Sequence, residues 1–390
     1  MSTHANTRYP PGGFGAPKHR RGHAGDLADV GLPPGTEIFS ADNHISLASD
    51  IFYERFPDDL KDQAPRVWFE DGAYMIGQKG NSLVVGDFSA VLMQYDELVG
   101  ASTHDVDARI RELAEDGVDT ELAFPNAVLA LFHYPDKALR ERVFRVYNEF
   151  LADIQERAGG HFYGVGLINW WDPKGAERTL SELKALGLKT FLMPLYPGFD
   201  DDGVVIDYGS TAMMPVWDVI EDAGVPVTHH IGETPPKSPC EFNSVAVAMM
   251  INVDSFRDMF ARYIFSGILD RHPKLRIGWF EGGIAWVPPA LQDAEHILAS
   301  YQHMLNHQLQ QDIRYYWDTH MSASFMVDPL GLTLIEQIGV DKVMWSSDYP
   351  HNESTFGYSE KSLSAVVDAV GPQDAARIVS GNVKRFLGLS

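Results

Sequence analysis

The sequence is poor in four things, and each shortage excludes a class of protein. It holds one cysteine, Cys240, in 390 residues, so no internal disulfide can form, the fold must rest on its core, and a reducing cytoplasm is the expected setting. It has no apolar run near the roughly 20 residues that a bilayer demands. It also lacks the apolar N-terminal stretch of a secretory signal, so neither a membrane partner nor export is expected. Positive charge is scarce as well: 31 Lys and Arg stand against 54 Asp and Glu, a net charge of −23. Such a field repels polyanions, and no nucleic-acid partner is expected. The remainder is an ordinary globular composition, 45% apolar and 22% charged, in a chain long enough to bury a sizeable core.

Residues 1–36 carry Pro10, Pro11, Pro17, Pro33 and Pro34 among scattered glycines and the basic run Lys18-His19-Arg20-Arg21, with little to bury; they read as a flexible or partner-wrapping arm. From Glu37 to the end, β-rich runs alternate with helical stretches, the pattern of βα units around parallel strands. Eight strands are expected: Glu37 to Ala41, Thr120 to Phe124, Phe162 to Ile168, Lys189 to Leu195, Pro226 to His230, Leu275 to Phe280, Tyr315 to Ser322 and Lys342 to Ser346. The helices between them carry readable ends. Asp105 can cap a segment in which Ile110, Leu113 and Ala114 share a face, with Gly117 ending it, and Asp172-Pro173 opens another that Gly187 closes. Eight such units imply an α/β fold, a (β/α)8 TIM barrel in one domain over 37–390.

Two stretches depart from this regularity. Residues 45–104 form a long insertion after the first strand, in which Val67-Trp68-Phe69-Glu70 and Ala73-Tyr74-Met75-Ile76 flank Asp71-Gly72, a two-residue hairpin signal. Loops after barrel strands lie at the catalytic face, so the insertion is expected to form a lid or a substrate wall. The stretch from Asn243 to His272 reads as a long helix whose apolar surplus suits an ordinary barrel helix or a subunit interface; a homo-oligomer is expected.

Chemistry gathers at the strand ends. Asp42 and His44 alternate at the end of the first strand, and residues two apart on a strand point to the same side. Alone, an Asp-x-His pair is more often turn chemistry than a metal site. The fifth strand, however, ends in His229-His230-Ile231-Gly232-Glu233, the sixth in Glu281-Gly282-Gly283, and the eighth in Ser347-Asp348-Tyr349-Pro350-His351. These are distant in sequence and convergent in a barrel. Each follows an apolar run, so each puts a titratable group where desolvation is costly without a partner, and a divalent cation supplies one. Mixed imidazole and carboxylate donors suit zinc, iron or manganese. Adjacent strand residues face opposite ways, so only one of His229 and His230 can point inward; His229 is expected between barrel and helices.

These motifs, with His272-Pro273-Lys274-Leu275-Arg276 before Glu281 and the closing run Gly381-Asn382-Val383-Lys384-Arg385-Phe386-Leu387-Gly388, resemble the amidohydrolase superfamily. More narrowly they resemble the amidohydrolase-related branch that includes aminocarboxymuconate-semialdehyde decarboxylase and aromatic-acid decarboxylases. The likeness runs from about Glu37 to Leu389. It implies a metal held by Asp42, His44, His230 and Asp348. Two departures are visible: Asp42 stands where much of the superfamily has a first histidine, and Glu281 stands where the decarboxylases have a histidine before Gly-Gly.

The expected enzyme is a metal-dependent hydrolase or carbon–carbon lyase. The cation would act on a water or a substrate oxygen, Asp348 would be both ligand and proton shuttle, and Glu281 either a further ligand or a general acid/base. His351 heads the supporting candidates, followed by Glu233, His307 and His320. A rival reading uses the same residues differently. Asp42, Glu281 and Asp348 with His44, His230 and His307 or His320 could hold two irons for an oxygenase. Trp170, Trp171, Tyr196, Phe199 and Trp286 are expected near the mouth, either packing loops or favouring a flat or bulky apolar small-molecule substrate.

Overall fold

The computed structural model describes residues 30–46, 50–70, 73–78, 81–84, 105–126, 132, 134, 136–200, 202–232, 244–351 and 353–389. Most of the N-terminal arm, residues 85–104 of the insertion, Glu233 and Cys240 lie outside them.

Eight parallel strands follow one another around the sheet: β1 (Phe39–Ile45), β5 (Thr120–Pro125), β6 (Phe162–Leu167), β7 (Thr190–Leu192), β8 (Val227–His230), β9 (Ile277–Phe280), β10 (Met321–Phe325) and β11 (Val343–Trp345). At the seam, the Asp348 amide donates to the Asp42 carbonyl at 2.8 Å and the His44 amide to the Tyr349 carbonyl at 2.7 Å, so the chain leaving β11 lies against β1. The result is a nearly closed (β/α)8 TIM barrel with helices between successive strands.

Local chemistry accounts for the spacing. Asp105 caps helix Val106–Glu115 by accepting from the amides of Asp107 and Ala108 at 2.9 and 3.0 Å. Asp172 does the same for helix Pro173–Ala185 through Gly175 at 2.6 Å. These caps satisfy amides that a helix start leaves unpaired. The strands are buried on both sides, and Leu122, Val165, Phe191, Ile277 and Val343 are among their fully buried apolar residues.

The insertion contains a small antiparallel sheet of β2 (Arg66–Glu70), β3 (Ala73–Gln78) and β4 (Asn81–Val84). Glu70 pairs with Ala73, which is the register of the expected two-residue hairpin.

Two elements differ from expectation. The seventh barrel strand is Met321–Phe325, and most of the run from Tyr315 to Ser322 is the end of helix Ile313–His320. Its aromatic residues look β-favouring, yet Ile313, Tyr316, Trp317 and His320 are the buried ones. That is a helical spacing, opened by Asp312 accepting from the Tyr315 amide at 2.7 Å. The stretch expected as one long helix is three: Ser244–Asn252, Asp254–Phe265 and Ile268–Arg271, the last entered through Gly267 at φ 75°. No helix among the described residues is long and apolar enough to cross a membrane.

Candidate metal centre

Strand alternation sends Asp42 and His44 to one side of β1 and Asn43 to the other. On β8 the same rule parts the two histidines. His229 lies outside the strands, its Nδ1 2.9 Å from the Met193 carbonyl, its Nε2 2.8 Å from the Tyr263 hydroxyl and its ring stacked on Trp279. Burial holds it neutral, its pKa brought down to about 3. His230 faces inward.

Glu281 and Asp348 reach the same place by another route. Alternation from Phe280, whose ring lies 4.8 Å from Phe124, would turn Glu281 outward. Instead Glu281 has φ 68°, and Asp348 has φ 61°; among the described residues no other non-glycine residue has a positive φ. Each left-handed residue costs of order 1–3 kcal/mol and persists where the surroundings enforce it. Here the Glu281 amide donates to Ser324 Oγ at 3.1 Å. The glycines that follow are required by space and backbone: a Cβ on Gly282 would lie 2.3 Å from the Phe256 ring, and Gly283 has φ 68° with Asp328 2.9 Å from the Cβ position.

The side chains so placed converge. His44 Nε2 is 3.2 Å from Asp348 Oδ1, 3.3 Å from Glu281 Oε2 and 3.7 Å from Asp42 Oδ1. His230 Nε2 is 3.0 Å from Glu281 Oε2 and 3.3 Å from Asp42 Oδ1. His351 Nδ1 is 3.0 Å from Asp348 Oδ1 and 3.8 Å from Glu281 Oε2, and its ring stacks on His44 at 3.7 Å. Asp42, His44, His230, Glu281 and Asp348 are buried.

Such a group fits a cation better than it fits itself. Donors held at about 2.1 Å by one tetrahedral or octahedral ion sit about 3.0–3.4 Å apart, and most of these distances fall there. Asp42 Oδ2 and His44 Nδ1 are buried with no hydrogen-bond partner, a costly condition for polar atoms. His230 Nδ1 lies 2.6 Å from the Ile231 carbonyl, which fixes the proton on Nδ1 and turns the Nε2 lone pair to the cluster. Electrostatics agree. Burial opposes a charged His230, but Asp42 and Glu281 outweigh it and push its pKa well above the ordinary value. Burial raises the Asp42 carboxyl, while His230 and His44 overcome burial at Glu281 and hold it low. Three buried carboxylates demand positive charge.

Two expected metal ligands lie elsewhere. His307 Nε2 is bound to Asp270 at 2.6 Å, beside the helix Ile268–Arg271. His320 Nδ1 is bound to the Leu275 carbonyl at 2.8 Å, where β9 and β10 begin, whereas the cluster sits where strands end. The mis-set seventh strand put His320 at the wrong end. Trp170 and Trp286 take the packing role rather than that of a substrate wall, Trp170 donating to the Pro197 carbonyl at 2.9 Å. Trp170 is fully buried against Phe132, Phe144 and Trp171, and Trp286 packs on Phe256, Trp279 and Trp317. The aromatic residue that does touch the centre is Phe124, 4.6 Å from His230 and 6.3 Å from His44. Its position at the end of a buried strand was the available signal.

A parallel barrel with buried imidazoles and carboxylates gathered at its carboxyl rim defines the class of metal-assisted barrel enzymes. The chain belongs to the amidohydrolase family, whose model matches residues 41–389. No curated protein matches it in sequence. Among solved structures, an amidohydrolase from Mycobacterium avium subsp. paratuberculosis K-10 is 19% identical, with a TM-score of 0.70 over 92% of this chain and 99% of that one. A 5-carboxyvanillate decarboxylase from Novosphingobium aromaticivorans, solved with manganese and a nitrobenzoic acid, is 15% identical, with a TM-score of 0.70 over 95% of this chain and 100% of that one. A dihydroxybenzoic acid decarboxylase from Polaromonas sp. JS666, solved with manganese and 2-nitroresorcinol, is 17% identical, with a TM-score of 0.65 over 90% and 97%. At these identities the likeness is one of fold.

Proposed function

We propose that the chain is a metal-dependent hydrolase or carbon–carbon lyase acting on an aromatic or bulky apolar organic acid, with Asp42, His44, His230, Glu281 and Asp348 as the metal-holding set. The observation that carries this reading is the convergence of buried donors from four strand ends, in two groups that share His44 and are linked by four contacts at 3.0–3.3 Å. Three carboxylates with two imidazoles suit manganese, zinc or iron, and manganese is the ion in the similar decarboxylases. Those two act on aromatic acids by name.

When bound, a divalent cation supplies Lewis-acid polarisation of a carboxylate or carbonyl oxygen and eases loss of a proton from a neighbouring water or hydroxyl. The protein's own groups do the rest. Asp348 Oδ1 accepts the proton and passes it to His351 Nδ1, 3.0 Å away. Burial, then the neighbouring His44, keeps His351 neutral, its pKa well below the ordinary value. An imidazole so disposed would hold the proton only in passing and give it up readily to the leaving group or to the ring carbon that loses its carboxylate. The di-iron oxygenase alternative drew on His307 and His320, both of which lie away from the cluster; neither geometry nor comparison adds to it. A homo-oligomer remains a separate proposal, to be tested by light scattering.

The test is a panel of aromatic carboxylic acids and their amides, assayed for carbon dioxide release and for hydrolysis with protein stripped by chelator and reloaded with manganese. The expected result is one manganese per chain and turnover that vanishes on stripping and returns on reloading. Full activity in the stripped protein would refute the reading, and two irons per chain with oxygen uptake would replace it by the alternative.

A further inference from the structure

Behind β1, on the side away from the cluster, lies a second buried polar group that the chemistry does not use. Arg109 and Glu121 form a two-pronged pair, Nε to Oε1 at 2.6 Å and Nη2 to Oε2 at 2.7 Å, with both residues at most 1% exposed. A buried ion pair is weak evidence for stability, since an apolar pair of similar size commonly does as well. This one even leaves Arg109 Nη1 without a hydrogen-bond partner. Its connections suggest another use. Glu121 Oε2 also accepts from Asn43 Nδ2 at 2.7 Å, and Asn43 Oδ1 in turn accepts from the Tyr349 amide and Ser40 Oγ, both at 2.9 Å. Ser40 Oγ accepts from the Ser347 amide at 2.8 Å. The two amides flanking Asp348 are thus held by the side chains of Ser40 and Asn43, which bracket Asp42.

The orientation of the Asn43 amide is what makes this clamp work. An ionised carboxylate only accepts and a backbone amide only donates, so Asn43 must turn Nδ2 to Glu121 and Oδ1 to Tyr349. Without an acceptor at Glu121, that preference weakens. Helix Val106–Glu115 supports the same loop: Arg109 lies 4.9 Å from the centre of the Tyr349 ring, and the Tyr349 hydroxyl donates to Glu112 at 3.0 Å.

We propose that Glu121, with Arg109 as its counter-ion, is a positioning residue of the metal centre: through Asn43 it fixes Asp348 relative to Asp42 and His44. The proposal rests on the metal reading above. Removing one partner of the pair would strand a buried charge, so the test changes both. Arg109→Met with Glu121→Leu removes the acceptor, whereas Arg109→Met with Glu121→Gln restores a neutral one that Asn43 Nδ2 can still use. Manganese affinity of the full chain is measured by competition with a chelator, alongside the melting temperature of stripped protein. The Leu pair is expected to bind manganese about 10–100-fold more weakly than the parent. The Gln pair is expected to stay within about threefold, a tolerance set well inside that loss, with the melting temperatures of both pairs close together. Undiminished binding in the Leu pair, or an equal loss in the Gln pair, overturns the role of Glu121. A parent protein that binds no manganese overturns the metal centre itself and this role with it.

Discussion

The two faces of the barrel wall carry the same residue types under opposite rules. His229 and His230 are neighbours in sequence and equally buried. Outside, His229 has a partner on each nitrogen and titrates only near pH 3. Inside, His230 meets Asp42 and Glu281, whose negative charge raises its pKa and would equally favour a cation bound at Nε2. The same contrast separates Asn43, bonded at both ends of its amide, from Asp42 and His44, each with a buried atom unpaired. His229 and Asn43 are satisfied by the protein, whereas Asp42, His44 and His230 are arranged for something that comes from outside it.

Mutation should reproduce that division, the inner face giving the largest effects. His230→Ala and Asp348→Ala are expected to abolish manganese binding and turnover, a loss beyond the about 10–100-fold typical of supporting residues, while leaving the melting temperature of stripped protein near that of the parent. Metal analysis and activity assays check this; a His230→Ala protein that retains its metal and rate would erase the distinction. His229→Phe should do the reverse. It strands the Tyr263 hydroxyl and the Met193 carbonyl, at a cost of about 1–3 kcal/mol in urea unfolding, with metal content unchanged.

His229 also predicts a pH dependence. Its folded pKa is about 3 against an ordinary 6.5, so below pH 6.5 the unfolded chain binds a proton that the native chain refuses. Its contribution to stability is complete above pH 6.5 and falls as the pH drops, by at most about 1.4 kcal/mol per unit. The stability gap between the parent and His229→Phe should therefore narrow from pH 7 to pH 5. A constant gap would mean that His229 takes up a proton in the folded protein.

How much of this could be read from the sequence follows from the distance over which each signal acts. Caps such as Asp105 and Asp172 act within three residues, and alternation at Asp42-Asn43-His44 within two, so both were legible. Glu281 was not placed by alternation, which points it outward; only its motif indicated the site, because the left-handed turn that redirects it depends on Ser324 and on space beside Phe256. The run from Tyr315 to Ser322 is rich in β-favouring aromatics, and only the i, i+3, i+4, i+7 spacing of Ile313, Tyr316, Trp317 and His320 marks it as helix. The Arg109–Glu121 pair is legible only by half: a lone glutamate in the buried run Thr120–Pro125 signals that something must meet it, but not which residue.

The smallest effect is expected at Asp116, where outer-face satisfaction is incomplete despite good bonds. Its carboxylate accepts from the Gly357 amide at 2.9 Å and from Ser359 Oγ at 2.5 Å, tying the end of helix Val106–Glu115 to the chain beyond Asp348. Burial nevertheless outweighs those bonds and raises its pKa to about 6. Between pH 3.8 and 6 the native chain therefore holds a proton that the unfolded chain has released, and stability from this group falls as the pH rises through that window. At neutral pH the ionised group is a mild liability. Asp116→Asn keeps an acceptor for Gly357 and offers its amide to Ser359, whose hydroxyl can accept, so the melting temperature at pH 7.5 should be equal to or slightly above that of the parent. At pH 5 the advantage should be smaller, and it should disappear only as the pH approaches 3.8. A clear loss at pH 7.5 would show that the charge at Asp116 is needed, and that the outer face, like the inner one, contains a carboxylate kept for its ionised form.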